Sequence, residues 1–364
     1  MSMFGSMIKV SFFGESHGEA IGISITGLPG GIKLDLDLIR KRLNQRRSKT
    51  DLTTPRQEGD EFKIISGYFK GFTTGTPLTF LIDNMDKLSV DYEKNKDLLR
   101  PSHADYSGHM RYNGFNDYRG GGHFSGRLTA LMVIIGAISE QILQKKHIIV
   151  ASHIKSVKDI EDDSFHPTMI NYGLINRLTS CDIPVINESV KEQMLKLVKV
   201  TKEAKDSVGG VVETIVLNLP AGYGDPIFDN MESILSHLIF SIPAVKGLEF
   251  GLGFNITKDY GSTVNDEFIV EKGHIRTKSN HSGGINGGIS NGMPVILRTA
   301  IKPTSTIAKP QYTVHIGDLT EQQIEFTGRH DPCIALRAVH VINAMVHYGI
   351  LEMMMKKDGT QWMI

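Results

Sequence analysis

Alternating and periodic apolar positions define the first elements of the chain. Residues 21–32 (IGISITGLPGGI) alternate before a Gly/Pro turn, which predicts a short strand that ends in that turn. Residues 34–47 (LDLDLIRKRLNQRR) place Leu36, Ile39 and Leu43 on one face, which predicts an amphipathic helix. The other faces of this helix carry four arginines: Arg40, Arg42, Arg46 and Arg47. Two further strands are predicted at 62–65 and 77–82.

The second half of the chain repeats this pattern. Residues 211–227 (VVETIVLNLPAGYGDPI) predict a strand that runs into Leu-Pro and a Gly turn, and a helix is predicted at 231–240. Residues 73–82 (TTGTPLTFLI) and 289–303 (ISNGMPVILRTAIKP) both contain a Gly turn, then a proline, then a strand. We interpret these matches as a degenerate internal duplication. The alternative is that two short patterns recur by chance.

Two longer helices are predicted. Residues 128–143 form the longest apolar stretch, and its polar residues Ser139, Glu140 and Gln141 favour a buried helix, too short to cross a membrane. Residues 332–356 predict a second long helix. Asp331 is expected at its N-cap and Pro332 at its first helical position.

The domain organisation follows from these elements. The chain contains no Pro/Ser-rich linker between its halves, so we expect one domain over residues 1–364. The stretch 144–201 is polar and mixed, which indicates a connecting excursion. Helices packed on antiparallel strands correspond to the α+β class.

Composition and charge narrow the class of protein. Apolar residues make up 40% of the 364 positions, enough for a large buried core. Forty basic residues balance forty acidic ones, which argues against a general nucleic-acid binder, because such proteins need a basic excess. The two cysteines, Cys181 and Cys333, form neither a disulfide framework nor a metal-binding pair, so we expect a reducing compartment. The N-terminal segment lacks the apolar core of a signal peptide, which favours the cytoplasm.

Two segments carry residues suited to acid–base chemistry. Residues 14–18 (GESHG) place His17 in a Gly-flanked turn after a strand, and the pKa of histidine lies near neutral pH. Residues 100–106 (RPSHADY) hold an arginine, a histidine and an aspartate in one loop. Alone, each segment is more typical of a surface turn or of a polar loop with an ion pair.

The strongest single signal is residues 117–127 (DYRGGGHFSGR), which run into the apolar helix. Glycines before a helix expose backbone N–H groups at its positive dipole end, an arrangement that binds anions. Arg127 would be unfavourable in the first turn of that helix unless an anion compensates for its charge. The segment is not a Walker A motif, and the chain contains no G-x-G-x-x-G dinucleotide fingerprint.

Three further segments combine glycine, hydroxyl or arginine residues. Residues 280–292 (NHSGGINGGISNG) suit close packing on a flat or phosphorylated ligand, or a flexible hairpin. Residues 302–306 (KPTST) could clasp a phosphate, although such a run is more often a polar turn. Residues 328–333 (GRHDPC) place Arg329 beside the predicted helix start, where anion binding is compatible with capping by Asp331.

Taken together and in this order, FGESHG, RPSHADY, DYRGGG, GGINGGIS, KPTST and GRHDPC resemble the chorismate synthase family over residues 4–351. The resemblance implies conversion of 5-enolpyruvylshikimate 3-phosphate to chorismate and phosphate by 1,4-anti elimination, in the shikimate pathway of aromatic amino acid biosynthesis. It also implies a requirement for reduced FMN without net redox change. The implied fold is a β-α-β sandwich with internal pseudo-duplication, usually assembled as a homotetramer.

The resemblance also assigns roles to residues. His17 is expected to donate a proton to the departing phosphate, His103 to stabilise or protonate the reduced flavin, and Asp331 to assist uptake of the ring proton. Bidentate arginines suit the carboxylates and phosphate of the substrate. The implied substrate contacts are Arg46, Arg100, Ser125, Arg127 and Arg329. The implied flavin contacts are His123, Phe124, Ser125, Pro243, Ala244, Gly287, Lys302, Pro303, Thr304, Ser305, Thr306 and Arg329.

The chain departs from the family pattern in two places. Family members commonly have Arg-Pro-Gly and a further arginine after the Arg-rich helix, where this chain has RSKTD at 47–51. Lys49 is the basic residue available to replace that arginine, and Asp51 adds a negative charge. Many members also have an arginine after the triple glycine, where this chain has His123.

Other functions are compatible with some of these residues. A true flavin oxidoreductase, or a phosphotransferase that forms a phosphohistidine at His17, would use the same types of residue. A non-catalytic nucleotide- or RNA-binding protein is opposed by the zero net charge and the absence of an RNA-binding motif. Some fungal family members reduce their own flavin with NADPH. The absent dinucleotide fingerprint favours an external flavin reductase for this chain.

Overall fold

Two five-stranded antiparallel sheets enclose a layer of helices in the computed structural model, which describes residues 2–47, 59–85, 96–325 and 331–364. The helices are α1 (Leu36–Arg46), α2 (Asp105–Arg111), α3 (Thr129–Gln144), α4 (Tyr172–Ser180), α5 (Glu188–Glu203), α6 (Met231–Phe240), α7 (Gly261–Val264) and α8 (Ala335–Asp358). The strands are β1 (Met3–Phe4), β2 (Lys9–Gly14), β3 (Ala20–Thr26), β4 (Gly30–Lys33), β5 (Phe62–Ser66), β6 (Tyr68–Phe69), β7 (Phe72–Thr74), β8 (Leu78–Asp83), β9 (Ile149–Val157), β10 (Ile160–Glu161), β11 (Gly210–Leu217), β12 (Val245–Phe250), β13 (Phe268–Glu271), β14 (His274–Thr277), β15 (Ile285–Asn286), β16 (Ile289–Ser290), β17 (Val295–Ile301), β18 (Gln311–Val314) and β19 (Glu321–Ile324).

The core helices lie between the two sheets. The first sheet has the strand order β1-β2-β3-β8-β5 and the second β10-β9-β11-β17-β12. Helix α3 contacts β3 and β9, whereas α8 contacts β9 and β11. Where α3 and α8 cross, a Cβ on Gly136 would lie 2.2 Å from the Cβ of Ala344, so glycine permits the close approach. The predicted α+β class and the implied β-α-β sandwich are confirmed.

The two halves of the molecule repeat one topology. Apart from short inserted elements, the chain order is β2-β3-α1-β5-β8-α3 in the first half and β9-β11-α6-β12-β17-α8 in the second. Corresponding strands also take the same places in space, because the orders β2-β3-β8-β5 and β9-β11-β17-β12 match. The predicted internal duplication is therefore confirmed. The two Gly-turn–Pro–strand segments correspond to β8 and β17.

The predicted apolar helix at 128–143 is α3. The longer helical run Arg119–Gln144 is long and apolar enough, by length and composition, to cross a membrane, which differs from the expectation of a stretch too short to do so. However, 89% of its apolar window is buried inside the protein. Burial against other protein elements is typical of a core helix, and α3 has this character on nearly all its faces.

The predicted start of the last helix is wrong by three residues. Helix α8 begins at Ala335, and Ile334 rather than Asp331 occupies the N-cap position. The carbonyl of Pro332 accepts the N–H of Val208 at 2.8 Å, so it is taken by a tertiary hydrogen bond. Asp331 accepts the N–H of Cys333 at 3.2 Å in a turn that precedes the helix.

The polar stretch 144–201 is more than a connecting excursion. It contributes α4, α5 and strand β9, which lies inside the second sheet between β10 and β11. The polar residues of β9 are accommodated by pairing, because buried His153 contacts Asp162 and Glu213. These buried polar groups weakened the strand pattern in the sequence.

Candidate active site

One cavity of about 750 Å³ collects segments from almost the whole length of the chain. Such a volume is typical of a site for one or two small ligands. Its wall is formed by residues between 2 and 12, 100–105, 116–132, 237–246 and 302–305, with Ile334 and Met345. Three of the segments singled out from the sequence therefore meet in one place.

The loop that carries Arg100 is ordered by an internal ion pair. The Nε and Nη2 atoms of Arg100 donate to the Asp105 carboxylate at 2.8 and 2.7 Å, and the backbone N–H of Arg100 donates to it at 2.8 Å. Burial alone would raise the pKa of Asp105, but these hydrogen bonds and the guanidinium charge hold it below its ordinary value. The pair fixes one cationic group on the cavity wall.

His103 is a half-buried base that is neutral at neutral pH. Burial, together with the positive charges of Arg100 and Lys302, lowers its pKa to about 4 despite the opposing effect of Asp105. Its Nε2 atom lies 2.6 Å from the Thr306 hydroxyl. The loop at 302–306 thus supports the histidine directly.

Lys302 joins this loop to the loop that carries His103. Its Nζ atom donates to the carbonyl of Ser102 at 2.7 Å and to the hydroxyl of Ser305 at 2.8 Å. Burial and the nearby Lys246 lower the pKa of Lys302. Lysine and hydroxyl groups on one rim suit a phosphate group.

The triple glycine packs directly on the turn that carries His17. Gly120, Gly121 and Gly122 have φ of 59°, 80° and 51°, the left-handed region that favours glycine. A Cβ on Gly120 would lie 2.3 Å from Cδ2 of His17. The carbonyl of Gly122 accepts the N–H of Ser16 at 3.1 Å.

His17 therefore lies behind the cavity wall. It is 7% exposed, whereas Gly120 and Ser125 line the cavity. The Ser125 hydroxyl donates to the Ser16 hydroxyl at 3.2 Å, which continues the contact between the two segments. The glycines do not run straight into α3, because Ser125 and a 3-10 turn, Gly126–Leu128, stand between them.

The anion that compensates for Arg127 belongs to the chain itself. Asp60 accepts from Arg127 Nη1 through one carboxylate oxygen and from Arg46 Nη2, at 2.8 Å, through the other. Burial would raise the pKa of Asp60, but the two guanidiniums hold it below its ordinary value. A bound anion was expected to compensate for Arg127, and the compensating group is instead the carboxylate of Asp60. Arg46 Nη1 also donates to Thr129, which lines the cavity, at 3.1 Å.

Asp60 and Asn84 were missed by the sequence argument. Both are buried at 4% exposure. Asn84 Oδ1 accepts from Arg127 Nε at 3.0 Å. Asn84 directly follows the apolar strand β8, and a polar residue at a strand end was the only available signal. Asp60 lay in a polar stretch without any motif.

The remaining predicted residues divide into three groups. His123, Phe124, Pro243 and Ala244 line the cavity, and Ala244 accepts the N–H of Lys302 at 3.0 Å. Gly287 lies exposed after β15 and is not on the cavity wall. Arg329, Lys49 and Asp51 lie outside the described residues.

Asp331 is buried and does not line the cavity. It connects to Arg46 and Arg127, which share Asp60 and are called the arginine cluster below. Its carboxylate accepts from Arg337 Nη1 at 3.3 Å, and Arg337 Nε donates to the carbonyl of Arg46 at 3.1 Å. Among the residues that the structure describes, no group of three or more His, Cys, Asp or Glu side chains is placed to hold a metal ion.

Comparisons with known proteins agree on one family. The family model described as chorismate synthase matches residues 8–355. The chain is 43% identical to a chorismate synthase of Dehalococcoides mccartyi over 342 residues, which cover 94% of this chain and 93% of the relative. It is 40% identical to one of Thermococcus gammatolerans over 362 residues, which cover both chains fully. A crystal structure of chorismate synthase matches with a TM-score of 0.77 and 26% identity, covering 98% of this chain and 94% of the other.

Proposed function

Because the chain belongs to the chorismate synthase family, we propose that this lyase eliminates phosphate from 5-enolpyruvylshikimate 3-phosphate and requires reduced FMN. The observation that supports this proposal best is the convergence of residues 100–105, 116–132 and 302–305 on one cavity. These segments bring arginine, histidine, lysine, hydroxyl and glycine backbone to a single surface. The substrate carries two carboxylates and a phosphate, which such groups bind well.

The residues present fit a flavin mononucleotide. The cavity of about 750 Å³ is large enough for a flavin beside a small substrate. Lys302 and Ser305 offer donors for the flavin phosphate, and the side chain of Phe124 offers an aromatic surface on the cavity wall. When bound, reduced FMN would supply electron density and an acceptor for the ring hydrogen of the substrate.

The protein's own groups bind and orient the substrate. Arg100 supplies a guanidinium and Ser125 a hydroxyl to the cavity wall. Behind Thr129, Arg46 and Arg127 share one carboxylate, that of Asp60, so two positive charges face one negative charge. This local excess of positive charge favours an anionic ligand.

The proposed proton transfers use two histidines. His17, held against Gly120, is the proposed donor to the departing phosphate, whose developing charge a proton would neutralise. His103 is proposed to hold or move a proton at Nε2, where it contacts Thr306. Asp331 is proposed to act from the far side of the arginine cluster, next to Arg337.

Further features of the enzyme are proposed on the same basis. We expect residues 1–364 to work as a single domain, assembled as a homotetramer in the cytoplasm. An apolar face on the β13–β14 hairpin supports self-association, since Val270 is 78% and Ile275 75% exposed. An external flavin reductase is proposed to supply the reduced cofactor, because the chain has no dinucleotide fingerprint.

An anaerobic assay tests the proposed function. Phosphate release from 5-enolpyruvylshikimate 3-phosphate is expected with FMN that has been reduced by dithionite. Turnover with oxidised FMN and no reductant would contradict the proposal, as would stoichiometric reduction of the substrate. A further arm with oxidised FMN and NADPH distinguishes a self-reducing enzyme, which turns over, from one that depends on an external reductase, which does not.

A further inference from the structure

Asn84 lies at the junction between the turn that carries His17 and the arginine cluster. Its side-chain Nδ2 donates to the carbonyl of Glu15 at 2.9 Å and to the carbonyl of Gly18 at 3.1 Å. Its Oδ1 accepts from Nε of Arg127 at 3.0 Å. Every donor and acceptor class of this amide is therefore in use.

The two carbonyls flank His17 in the sequence. One amide group thus holds the turn on both sides of the histidine, and the backbone N–H of Asn84 adds a bond to the carbonyl of Glu19 at 3.0 Å. A turn with glycines at positions 14 and 18 has more backbone freedom than other sequences. These three bonds to one strand end remove that freedom.

The same side chain reaches the anion-binding side of the site. Asn84 Oδ1 orients the guanidinium of Arg127, whose Nη1 is bound to Asp60, which also binds Arg46. Asn84 is 4% exposed, so water does not compete freely for these contacts. A displacement of Asn84 would therefore move both His17 and the arginines.

We propose that Asn84 is a positioning residue, which holds His17 and Arg127 at a fixed separation for the elimination. The inference rests on the proposed function, since it requires His17 to donate a proton to a phosphate that the arginines help to hold. Misplacement of a reacting group by 1 Å costs a rate factor on the order of 100. Asn84 touches neither ligand in this account and acts through its neighbours.

Two substitutions separate the contacts of the amide. Asn84→Ala removes all of them. Asn84→Asp keeps the shape and the acceptor for Arg127, but places an oxygen against the carbonyls of Glu15 and Gly18, where the amide donated. Because the turn is held by those donors, kcat is expected to fall about 10- to 100-fold in both variants. The near-isosteric Asp variant carries the test if the Ala variant does not fold.

A buried amide elsewhere supplies the matched control. Asn343 lies on α8, where its Nδ2 donates to the carbonyl of Val150 at 3.1 Å and to the hydroxyl of Ser152 at 3.2 Å. It is not on the wall of the 750 Å³ cavity. Asn343→Ala loses two side-chain hydrogen bonds to β9 and is expected to keep the wild-type kcat.

A second background distinguishes positioning from general destabilisation. If Asn84 acts on kcat partly through His17, the fold loss of kcat caused by Asn84→Ala is smaller in the His17→Ala background than in the wild type, and the loss that remains there is the share that runs through Arg127. A structural role alone would lower kcat by the same factor in both backgrounds. The double-mutant cycle compares kcat of the wild type, Asn84→Ala, His17→Ala and the double variant. It is measured under the anaerobic assay conditions, with a melting curve for each protein.

The outcomes separate the two proposals. A wild-type enzyme without activity on the phosphorylated substrate would overturn the proposed function and this inference with it. An active wild type with unchanged kcat in Asn84→Asp, or with equal losses from Asn84→Ala in both backgrounds, would overturn the positioning role alone. A large loss in the wild-type background that becomes clearly smaller beside His17→Ala would support it.

Discussion

His103 illustrates at the residue scale how neighbours set the charge of a base. Burial and the charges of Arg100 and Lys302 lower its pKa to about 4, so the imidazole is neutral at neutral pH. An anion bound beside the two cations would cancel their repulsion and raise this pKa. Binding of an anionic ligand and uptake of a proton by His103 are therefore coupled.

The two histidines give the first prediction. His17→Ala and His103→Ala are each expected to lower kcat by more than about tenfold, because general acid–base groups contribute roughly 10²–10⁴-fold. His166→Ala, at an exposed position outside the cavity, is the control and should match the wild type. The measurement is phosphate release with reduced FMN. Wild-type rates in either active-site variant would remove the role assigned to that histidine.

Gly120 gives a second prediction at this scale. In Gly120→Ala the new Cβ would lie 2.3 Å from His17 Cδ2, and the φ of 59° costs an alanine roughly 1–2 kcal/mol. We expect His17 to be displaced and kcat to fall by more than about tenfold. Gly71→Ala has a similar backbone strain at φ 92° but no heavy atom within 4 Å of its Cβ, so it should keep the rate. Equal kcat values in Gly120→Ala and Gly71→Ala would contradict the idea that a side chain at position 120 displaces His17.

The sequence was informative about residues that belong to motifs and silent about others. His103, Ser125 and Lys302 stood in recognisable segments, and the fold brings these segments to one cavity. Asp60 and Asn84 carried no motif, since their importance comes from which buried groups meet them in three dimensions. The sequence around a single polar residue does not indicate which side chain it contacts in the folded protein.

At the scale of elements, strand β9 depends on a buried group of charges. His153 lies between Asp162 at 3.2 Å and Glu213 at 3.1 Å, and its side chain is fully buried. Burial lowers the pKa of His153, but the hydrogen bonds and charges of the two carboxylates outweigh it and raise the pKa. The strand is therefore held in the sheet by polar pairing as well as by apolar contacts.

The group of His153, Asp162 and Glu213 predicts a pH-dependent stability of the protein. Since the pKa of His153 is raised above 6.5 in the folded chain, its stabilisation is complete below pH 6.5 and is lost as the pH rises through the raised value. His153→Leu leaves two buried carboxylates without it and should cost about 3–5 kcal/mol at pH 6. His153→Gln keeps hydrogen bonding without the charge, so its free energy of unfolding should lie between those of the wild type and His153→Leu. Urea unfolding at pH 6 and at higher pH measures the difference in free energy of unfolding between the wild type and His153→Leu. This difference should narrow as His153 of the wild type loses its proton. A difference that does not change with pH would contradict a charged His153.

Elements with regular periodicity were the predictable ones. Helix α6 spans the predicted residues 231–240, and α3 and α1 lie within one or two residues of their predicted bounds. Strand β9 was hidden, because its buried polar residues look like a surface segment in the sequence. The start of α8 was also missed, since Val208 takes the Pro332 carbonyl in a contact that only the tertiary structure supplies.

At the scale of the whole molecule, the cavity belongs to neither repeat alone. Residues 116–132 come from the first half and residues 237–246 and 302–305 from the second. The duplication could be predicted because its turns kept Gly and Pro at matching places. The site could be assembled from the sequence only through the family resemblance, since periodicity does not indicate how the two halves face each other.

Association of whole chains gives the last prediction. Val270 and Ile275 are cross-strand partners on β13 and β14, so with Phe268 they form one exposed apolar face. We expect a homotetramer in sedimentation experiments, and Val270→Asp should shift it to smaller species. Glu271→Gln, on the opposite face of the hairpin, should not. A monomeric wild type would contradict the assembly, and an unchanged Val270→Asp tetramer would place the interface elsewhere.

The wall that runs from Ser2 to Met345 also has a consequence for how the protein is made. The ribosome delivers α3 about 200 residues before α8, the helix against which it packs. At about 5–20 residues per second, this interval lasts roughly 10–40 s. During that time the face of α3 that packs on α8 has no counterpart, although α1 and β3 already contact its other faces, so this apolar face stays exposed on the nascent chain. A truncated chain that ends before α8 would lack the part of the cavity wall that Met345 forms.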